Sequence, residues 1–291
     1  MFSYGRLKTF ASGFLRRLEF NAAVFRRRSQ PALLARRMLT GWCPSLPKLV
    51  IIGVNKGGTS ALFEYLSQHP QVVPVATKEV HFFDFNYHRG LNWYKAHFLV
   101  PKKQLINMPV EATPSYFDHP LVPARAARDL FDARFIVLLR DPVARACSHY
   151  WHERRYGRIT LPFSQALNQE IDCIQRERQS GIDVPWDFRR FLRRSIYSPS
   201  LRRWMAAVPR ERLLVLRSED LQNDALGQLA KVCEFAELAP WENFDVSPRN
   251  VGGYSRSLPN HLAERMREFL GEDGCEVREL LGENFVWPKP V

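Results

Sequence analysis

Three observations predict an α/β fold with a central parallel sheet and helices on both faces. Apolar, β-branched runs recur at Leu49–Val54, Phe135–Leu139 and Leu213–Leu216. Stretches with helical spacing separate them. The first two runs each end in a polar loop that leads into a helical segment, the alternation expected of βαβ units. Continuous apolar strands suit burial on both faces. Ligands of such sheets sit at the C-terminal ends of the strands.

The first unit, Leu49–Leu62, reads LVIIGVNKGGTSAL. A strand enters a loop bearing glycines and a lysine, and a helix follows. Backbone N–H groups in such a loop, and the helix N-terminus after it, point at an anion. Gly53 and Gly58 have the glycine spacing of G-x-x-x-x-G-K-[ST], but the lysine position is Thr59 and the loop's lysine is Lys56. A lysine three residues earlier cannot take the same path to a β,γ-diphosphate. Thr59 and Ser60 open the helix, where hydroxyls and free N–H groups can meet oxyanions. On its own the loop also reads as a glycine turn. Val72–Val75 is expected as a short strand with Pro74 at the sheet edge.

The second unit, Ala133–Tyr150, reads ARFIVLLRDPVARACSHY. Its strand ends at Arg140, Asp141 caps the next helix, and Pro142 fits the first turn. Ser148 lies about two turns further on, so Arg140 and Ser148 are placed to share a phosphate. Taken singly, Arg140 reads equally as an ion-pair residue and Ser148 as a surface hydroxyl. Lys78-Glu79 reads as a surface charge pair and His81 as a packed histidine when nothing else is considered.

Together these segments resemble the PAPS-dependent sulfotransferases, in the branch of the heparan sulfate glucosaminyl sulfotransferases and their bacterial relatives. The pieces are IIGVNKGGTSALFEYLSQHP (51–70), KEVHFFD (78–84), RGLNWY (89–94), EATPSYF (111–117) and VLLRDPVARACSHY (137–150). Weaker echoes follow in SIYSPSLRRWM (195–205), LLVLRSEDL (213–221) and LLGENFVWP (280–288), all in the family's order. The resemblance implies a P-loop-like three-layer fold and a cosubstrate, 3′-phosphoadenosine 5′-phosphosulfate (PAPS), with no metal. Lys56, Gly57, Gly58, Thr59 and Ser60 would bind its 5′-phosphosulfate, and Arg140 and Ser148 its 3′-phosphate. Glu79 would be the general base on the acceptor, with His81 as second candidate around it. Lys56 would stabilise charge on the bridging oxygen of the leaving bisphosphate. Tyr197 is a further candidate for cosubstrate contact.

Two departures stand out. Where vertebrate-type members have Lys after Glu in their EKTPAYF-like segment, this chain has Ala112. Where they carry a cysteine-flanked loop with a Lys-Gly-Arg element, this chain has RNVGGYSRSLP (249–259) without cysteine. Gly253 and Tyr254 are expected to close over the nucleotide there, with Arg256 as the cation.

The chain has 291 residues and a formal charge of +12, enough for one sizeable core plus appendages. Residues 1–47 hold +8 of that charge, leaving about +4 on the rest. The body is too weakly basic to argue for nucleic acid, while an anionic cosubstrate suits a local positive potential. Five cysteines without CxxC spacing fit a reducing compartment, and no stretch reaches the roughly 18 apolar residues of a membrane span. A cytoplasmic, bacterial-type enzyme is the expectation.

The chain is expected to divide into a basic arm, 1–47, and a sulfotransferase domain, 48–291. The arm mixes Arg with Phe and Leu at near-helical spacing. It reads as an amphipathic helix on an anionic membrane, a targeting peptide, or a basic tail packed on the body or a partner. Residues 158–194 are expected as a helical insertion that shapes the acceptor cleft, with Trp186, Phe188 and Phe191. Arg189, Arg190, Arg193 and Arg194 would face an anionic acceptor or simply form a solvated helix face.

The acceptor is expected to be a saccharide or small metabolite, sulfated on a hydroxyl or amine. Two other functions were weighed: a P-loop nucleotide kinase or ATPase, and an inactive nucleotide-binding scaffold. The first lacks a lysine at position 59 and an evident Mg²⁺-binding Asp at a strand end. The second does not explain the joint presence of Lys56, Glu79, Arg140 and Ser148.

Overall fold

The computed structural model describes residues 42–75, 78–101, 108–181, 186–187, 189–247 and 258–287. Its centre is a five-stranded sheet in the order β3-β5-β2-β6-β7, comprising β2 (Leu49–Gly53), β3 (Val72–Pro74), β5 (Met108–Ala112), β6 (Arg134–Leu139) and β7 (Leu213–Arg217). Every pairing in it is parallel. A separate antiparallel pair joins β1 (Trp42–Pro44) to β4 (Leu99–Pro101). The described body thus begins inside the segment read as the arm.

The helices are α1 (Thr59–Leu66), α2 (Leu91–Lys95), α3 (Val122–Asp129), α4 (Pro142–Arg155), α5 (Phe163–Ser180), α6 (Ser198–Ala207), α7 (Ser218–Asn223), α8 (Ala225–Phe235) and α9 (Asn260–Leu281). Alternate residues of β2 point to opposite faces. Val50 and Ile52 enter one core with Phe135, Val137 and Trp204. Leu49 and Ile51 enter the other with Leu62, Leu66 and Leu229. This two-sided burial is what the continuous apolar runs demand, and the fold is the expected three-layer α/β architecture. Among the described residues no helix is long and apolar enough to cross a membrane.

Strand β5 was not anticipated. MPVEA contains a proline and a glutamate, yet all five residues are buried. Pro109 lacks a donor, but its carbonyl accepts the Lys48 N–H at 2.9 Å. The expected insertion contains α5, whose Leu167, Ile171 and Ile174 pack with Phe191, Leu192, Met266 and Leu270.

The arginines that follow α5 differ from both readings given to them. Arg190 pairs with Glu177 at 2.5 Å and Arg193 pairs with the same carboxylate. Arg189 pairs with Asp187 at 2.7 Å, and the buried Arg194 with Asp118 at 2.6 Å. Each is paired with a carboxylate: Arg189 locally with Asp187, and the other three with Glu177 or Asp118 across the fold.

Candidate active site

Three adjacent strands, β5, β2 and β6, deliver the site at their C-terminal ends. Beyond β2, the Val54 N–H donates to the Leu138 carbonyl at 2.9 Å and the Gly57 N–H to the Val54 carbonyl at 2.9 Å. These bonds curl the loop against β6. Lys56 adopts φ 69° and Gly58 φ 89°. The first is strained for a side-chain-bearing residue, the second is natural for glycine. A Cβ on Gly57 would lie 2.6 Å from the Leu138 carbonyl oxygen and 2.8 Å from Val54 Cγ2, so only glycine allows this close approach. Thr59, buried, and Ser60, half-buried, open α1 as predicted.

At the end of β6, Arg140 Nη1 donates to the Lys56 carbonyl at 3.1 Å. The next helix starts as expected: Asp141 accepts the Ala144 N–H at 2.7 Å and Pro142 takes the first turn. Ser148 sits half-buried on α4. Tyr197 is buried, and its hydroxyl donates to the Arg140 carbonyl at 2.8 Å. It therefore acts on the site through Arg140, with its own hydroxyl engaged.

Positive charge is concentrated around the loop. Burial lowers the pKa of Lys56, and the neighbouring Arg140 and Arg155 lower it further, with Glu153 opposing. Arg145, fully buried on α4, donates from Nε to Ser195 Oγ at 2.7 Å and from Nη1 to the Asn55 carbonyl at 3.4 Å. It also donates to the Phe191 carbonyl. Each of these partners is neutral, so the guanidinium keeps its net charge under the loop. A lysine depressed by burial and by neighbouring arginines lies in a positive potential that suits an anion. The donor set of the loop and α1 suits terminal oxyanions, and the residues fit a bisphosphorylated nucleotide.

The segment after β3 builds the third part of the candidate site. The Glu79 N–H donates to the Ala112 carbonyl at 3.0 Å, hanging the residue from the end of β5. Glu79 and His81 adopt φ 65° and 54°. Left-handed backbone at non-glycine residues costs about 1–3 kcal/mol each and persists where surroundings enforce it. Glu79 Oε1 receives Lys78 Nζ at 2.8 Å, and its Oε2 lies 3.7 Å from His81 Nε2. His81 Nδ1 lies 2.8 Å from Asp84 Oδ2, which also accepts the Ser115 hydroxyl at 2.6 Å.

Burial works against ionised Glu79, but His81 and Lys78 outweigh it and hold the carboxyl well below its ordinary range. Burial also disfavours the charged His81 ring, but Asp84 and Glu79 outweigh it and raise the pKa to about 9. Glu79 is thus a carboxylate, two-fifths exposed on its side chain, beside an imidazolium. A carboxylate in this setting can accept a hydrogen bond from a group that approaches it.

The sequence reading did not single out Asp84, Ser115 or Arg145. Asp84 stood within the quoted segment, three residues after His81, at the right interval to share its turn. Ser115 and Arg145 stood within EATPSYF and VLLRDPVARACSHY, but nothing in their spacing set them apart. Gly253, Tyr254, Arg256 and Phe188 lie outside the described residues, as does the arm through residue 41. Cys147 is half-buried, and burial pushes its thiol up to about 12, which suits packing. Among the described residues no three His, Cys, Asp or Glu side chains converge as metal ligands.

Comparison with known proteins agrees with this geometry. The sulfotransferase domain family matches residues 46–245. Mouse heparan sulfate glucosamine 3-O-sulfotransferase 3A1 is 37% identical over 211 residues, covering 72% of this chain and 50% of that protein. Human bifunctional heparan sulfate N-deacetylase/N-sulfotransferase 2 is 32% identical over 213 residues, covering 69% of this chain and 23% of that protein. The chain thus spans half or less of the length of these relatives. In fold it is similar to a sulfotransferase from Alicyclobacillus acidocaldarius, with a TM-score of 0.66 at 23% identity, covering 81% of this chain and 96% of that one. The cationic loop of Lys56, the Arg140 strand end and the family match lead to one conclusion: this chain belongs to the sulfotransferase domain family.

Proposed function

We propose that the protein transfers the sulfuryl group of PAPS to a hydroxyl or amine of a saccharide, with Glu79 as the general base. The observation that carries this reading is the joining of Lys56 to Arg140 at 3.1 Å. That bond runs from the guanidinium to the lysine's backbone carbonyl and ties the tip of β6 to the loop after β2, which supports a donor with both a 5′ and a 3′ anionic group. The saccharide class is supported by the names of the relatives, two families of heparan sulfate enzymes. A small-metabolite acceptor is the narrower alternative.

When bound, the donor supplies the sulfuryl group and a bisphosphate leaving group. The loop N–H groups and the start of α1 hold the 5′ end, and Arg140 with Ser148 holds the 3′-phosphate. Lys56 Nζ sets positive charge against the oxygen that gains charge as the bond to sulfur breaks. Glu79 takes the acceptor's proton on a carboxylate oxygen. His81, kept charged by Asp84, orients Glu79 and returns positive charge to that side. Transfer of this kind depends on alignment and charge stabilisation more than on covalent help.

Thermal shift separates this reading from a P-loop kinase and from a scaffold. Adenosine 3′,5′-bisphosphate is expected to raise the melting temperature and ATP–Mg²⁺ to leave it nearly unchanged. Stabilisation by ATP–Mg²⁺ alone would point to a kinase, and no response to either would point to a scaffold. Radiolabelled PAPS with heparan sulfate fragments and small alcohols or amines then identifies the acceptor.

A further inference from the structure

One carboxylate in the core has no part in the mechanism above. Glu111 lies in β5 and is completely buried. Its Oε1 accepts the Thr113 hydroxyl at 2.7 Å and the Tyr116 hydroxyl at 3.0 Å, and its Oε2 accepts the Tyr94 hydroxyl. Such a group is costly to bury and is retained here with every neighbour aimed at it.

The Tyr116 hydroxyl has one proton and two lone pairs. The Phe82 N–H donates to it at 2.8 Å and the Phe83 N–H at 3.4 Å. With both lone pairs engaged, its proton goes to Glu111 Oε1. That oxygen therefore fixes how the tyrosine hydroxyl points, and the hydroxyl fixes the backbone just after His81. The same strand end holds Glu79 through the Ala112 carbonyl, and Ser115 holds Asp84. The left-handed residues Glu79 and His81 are thus tied on both sides to residues 111–116.

We propose that Glu111 is a positioning residue for the Glu79–His81 pair, acting through the Tyr116 hydroxyl and the Phe82 and Phe83 amides. This rests on the sulfuryl-transfer reading only for its catalytic consequence, not for the placement of His81. In Glu111→Gln the amide oxygen can still accept from Thr113 and Tyr116, while its nitrogen faces the Tyr94 hydroxyl that donates to Oε2 in the native chain. Glu111→Leu removes every acceptor.

The test uses Tyr116→Phe, Glu111→Gln and Glu111→Leu in the full chain. Tyr116→Phe keeps the ring and removes only the hydroxyl, so it stays informative if Glu111→Leu does not fold. Expected for Tyr116→Phe is a fall in kcat of about 10- to 100-fold, with affinity for adenosine 3′,5′-bisphosphate unchanged within about twofold. Glu111→Gln, which keeps one acceptor oxygen, should lose less kcat than Glu111→Leu, and Glu111→Leu should follow Tyr116→Phe.

An NMR titration of His81 gives a readout that needs no turnover. The charged groups facing this ring are Glu79, Asp84 and Lys78, with His152 on α4 near Glu79. In Tyr116→Phe the His81 pKa should drop as the ring leaves its carboxylates, and in Glu111→Gln it should move less than in Glu111→Leu. An unmoved His81 titration in a folded Tyr116→Phe would overturn the proposal. So would a parallel loss of kcat and bisphosphate affinity, which marks a fold-wide defect. If the wild type transfers no sulfuryl group, the function assigned above fails, and the His81 titration still decides the positioning role.

Discussion

Arg140 and Lys56 stand 84 residues apart in the chain and meet through one hydrogen bond, Nη1 to carbonyl oxygen, at 3.1 Å. The cation at the tip of β6 therefore holds the backbone of the loop's lysine. Tyr197 holds Arg140 from behind. Replacing Arg140 by Ala should weaken adenosine 3′,5′-bisphosphate by about 10- to 100-fold, the usual worth of a charge-assisted contact. Adenosine 5′-phosphosulfate, which lacks the 3′-phosphate, should weaken much less. Calorimetric titration with both ligands checks this; equal losses would mean that Arg140 serves only the loop.

Lys56→Ala is expected to lose turnover and to weaken the bisphosphate. Its Nζ is the loop's one charged donor, and the surrounding arginines raise the potential without replacing its reach. Rates with labelled PAPS decide the point, and a variant of normal rate would remove Lys56 from the mechanism.

Glu79→Gln should reduce transfer by about 10²–10⁴-fold, the range of a general base. Bisphosphate binding should stay nearly intact, because Glu79 belongs to the acceptor side. Comparing kcat with the bisphosphate Kd distinguishes this from a structural role, in which both would fall together.

Stability should depend on pH through His81. Its folded pKa, about 9, lies above the ordinary value of 6.5. The stabilisation is then fully present below pH 6.5 and is lost as pH rises through about 9. Glu79 and Asp84 are depressed from 4.5 and 3.8, so their share is present above those values and lost only as pH falls further. The melting-temperature gap between wild type and His81→Gln should therefore narrow between pH 7 and 10. A constant gap across that range would show that His81 is not held charged.

The loop and strand ends of the candidate site were legible in the sequence because their signals are local. A displaced lysine among glycines, an Arg-Asp-Pro strand end and a serine two turns later are all short-range patterns. Their fold context, parallel strands β2, β6 and β7, followed from continuous apolar runs. β5 was not legible, since Pro109 and Glu111 disguise a strand that only tertiary partners make possible. Arg190, Arg193 and Arg194 misled for the same reason: Glu177 and Asp118, which neutralise them, are distant in sequence or on another element. Asp84 fell between these cases, visible in its segment but given its role only by the turn that brings it under His81.

The tips of β5, β2 and β6 are consecutive in the sheet. Neighbouring strands keep a spacing of about 4.8 Å that is set by backbone hydrogen bonds. The spacing of Glu79, the Lys56 loop and Arg140 is therefore inherited from main-chain pairing. Side chains elsewhere can drift without disturbing it. A substitution at one of these tips can change what meets the site without changing that spacing, and Ala112 stands at the tip of β5.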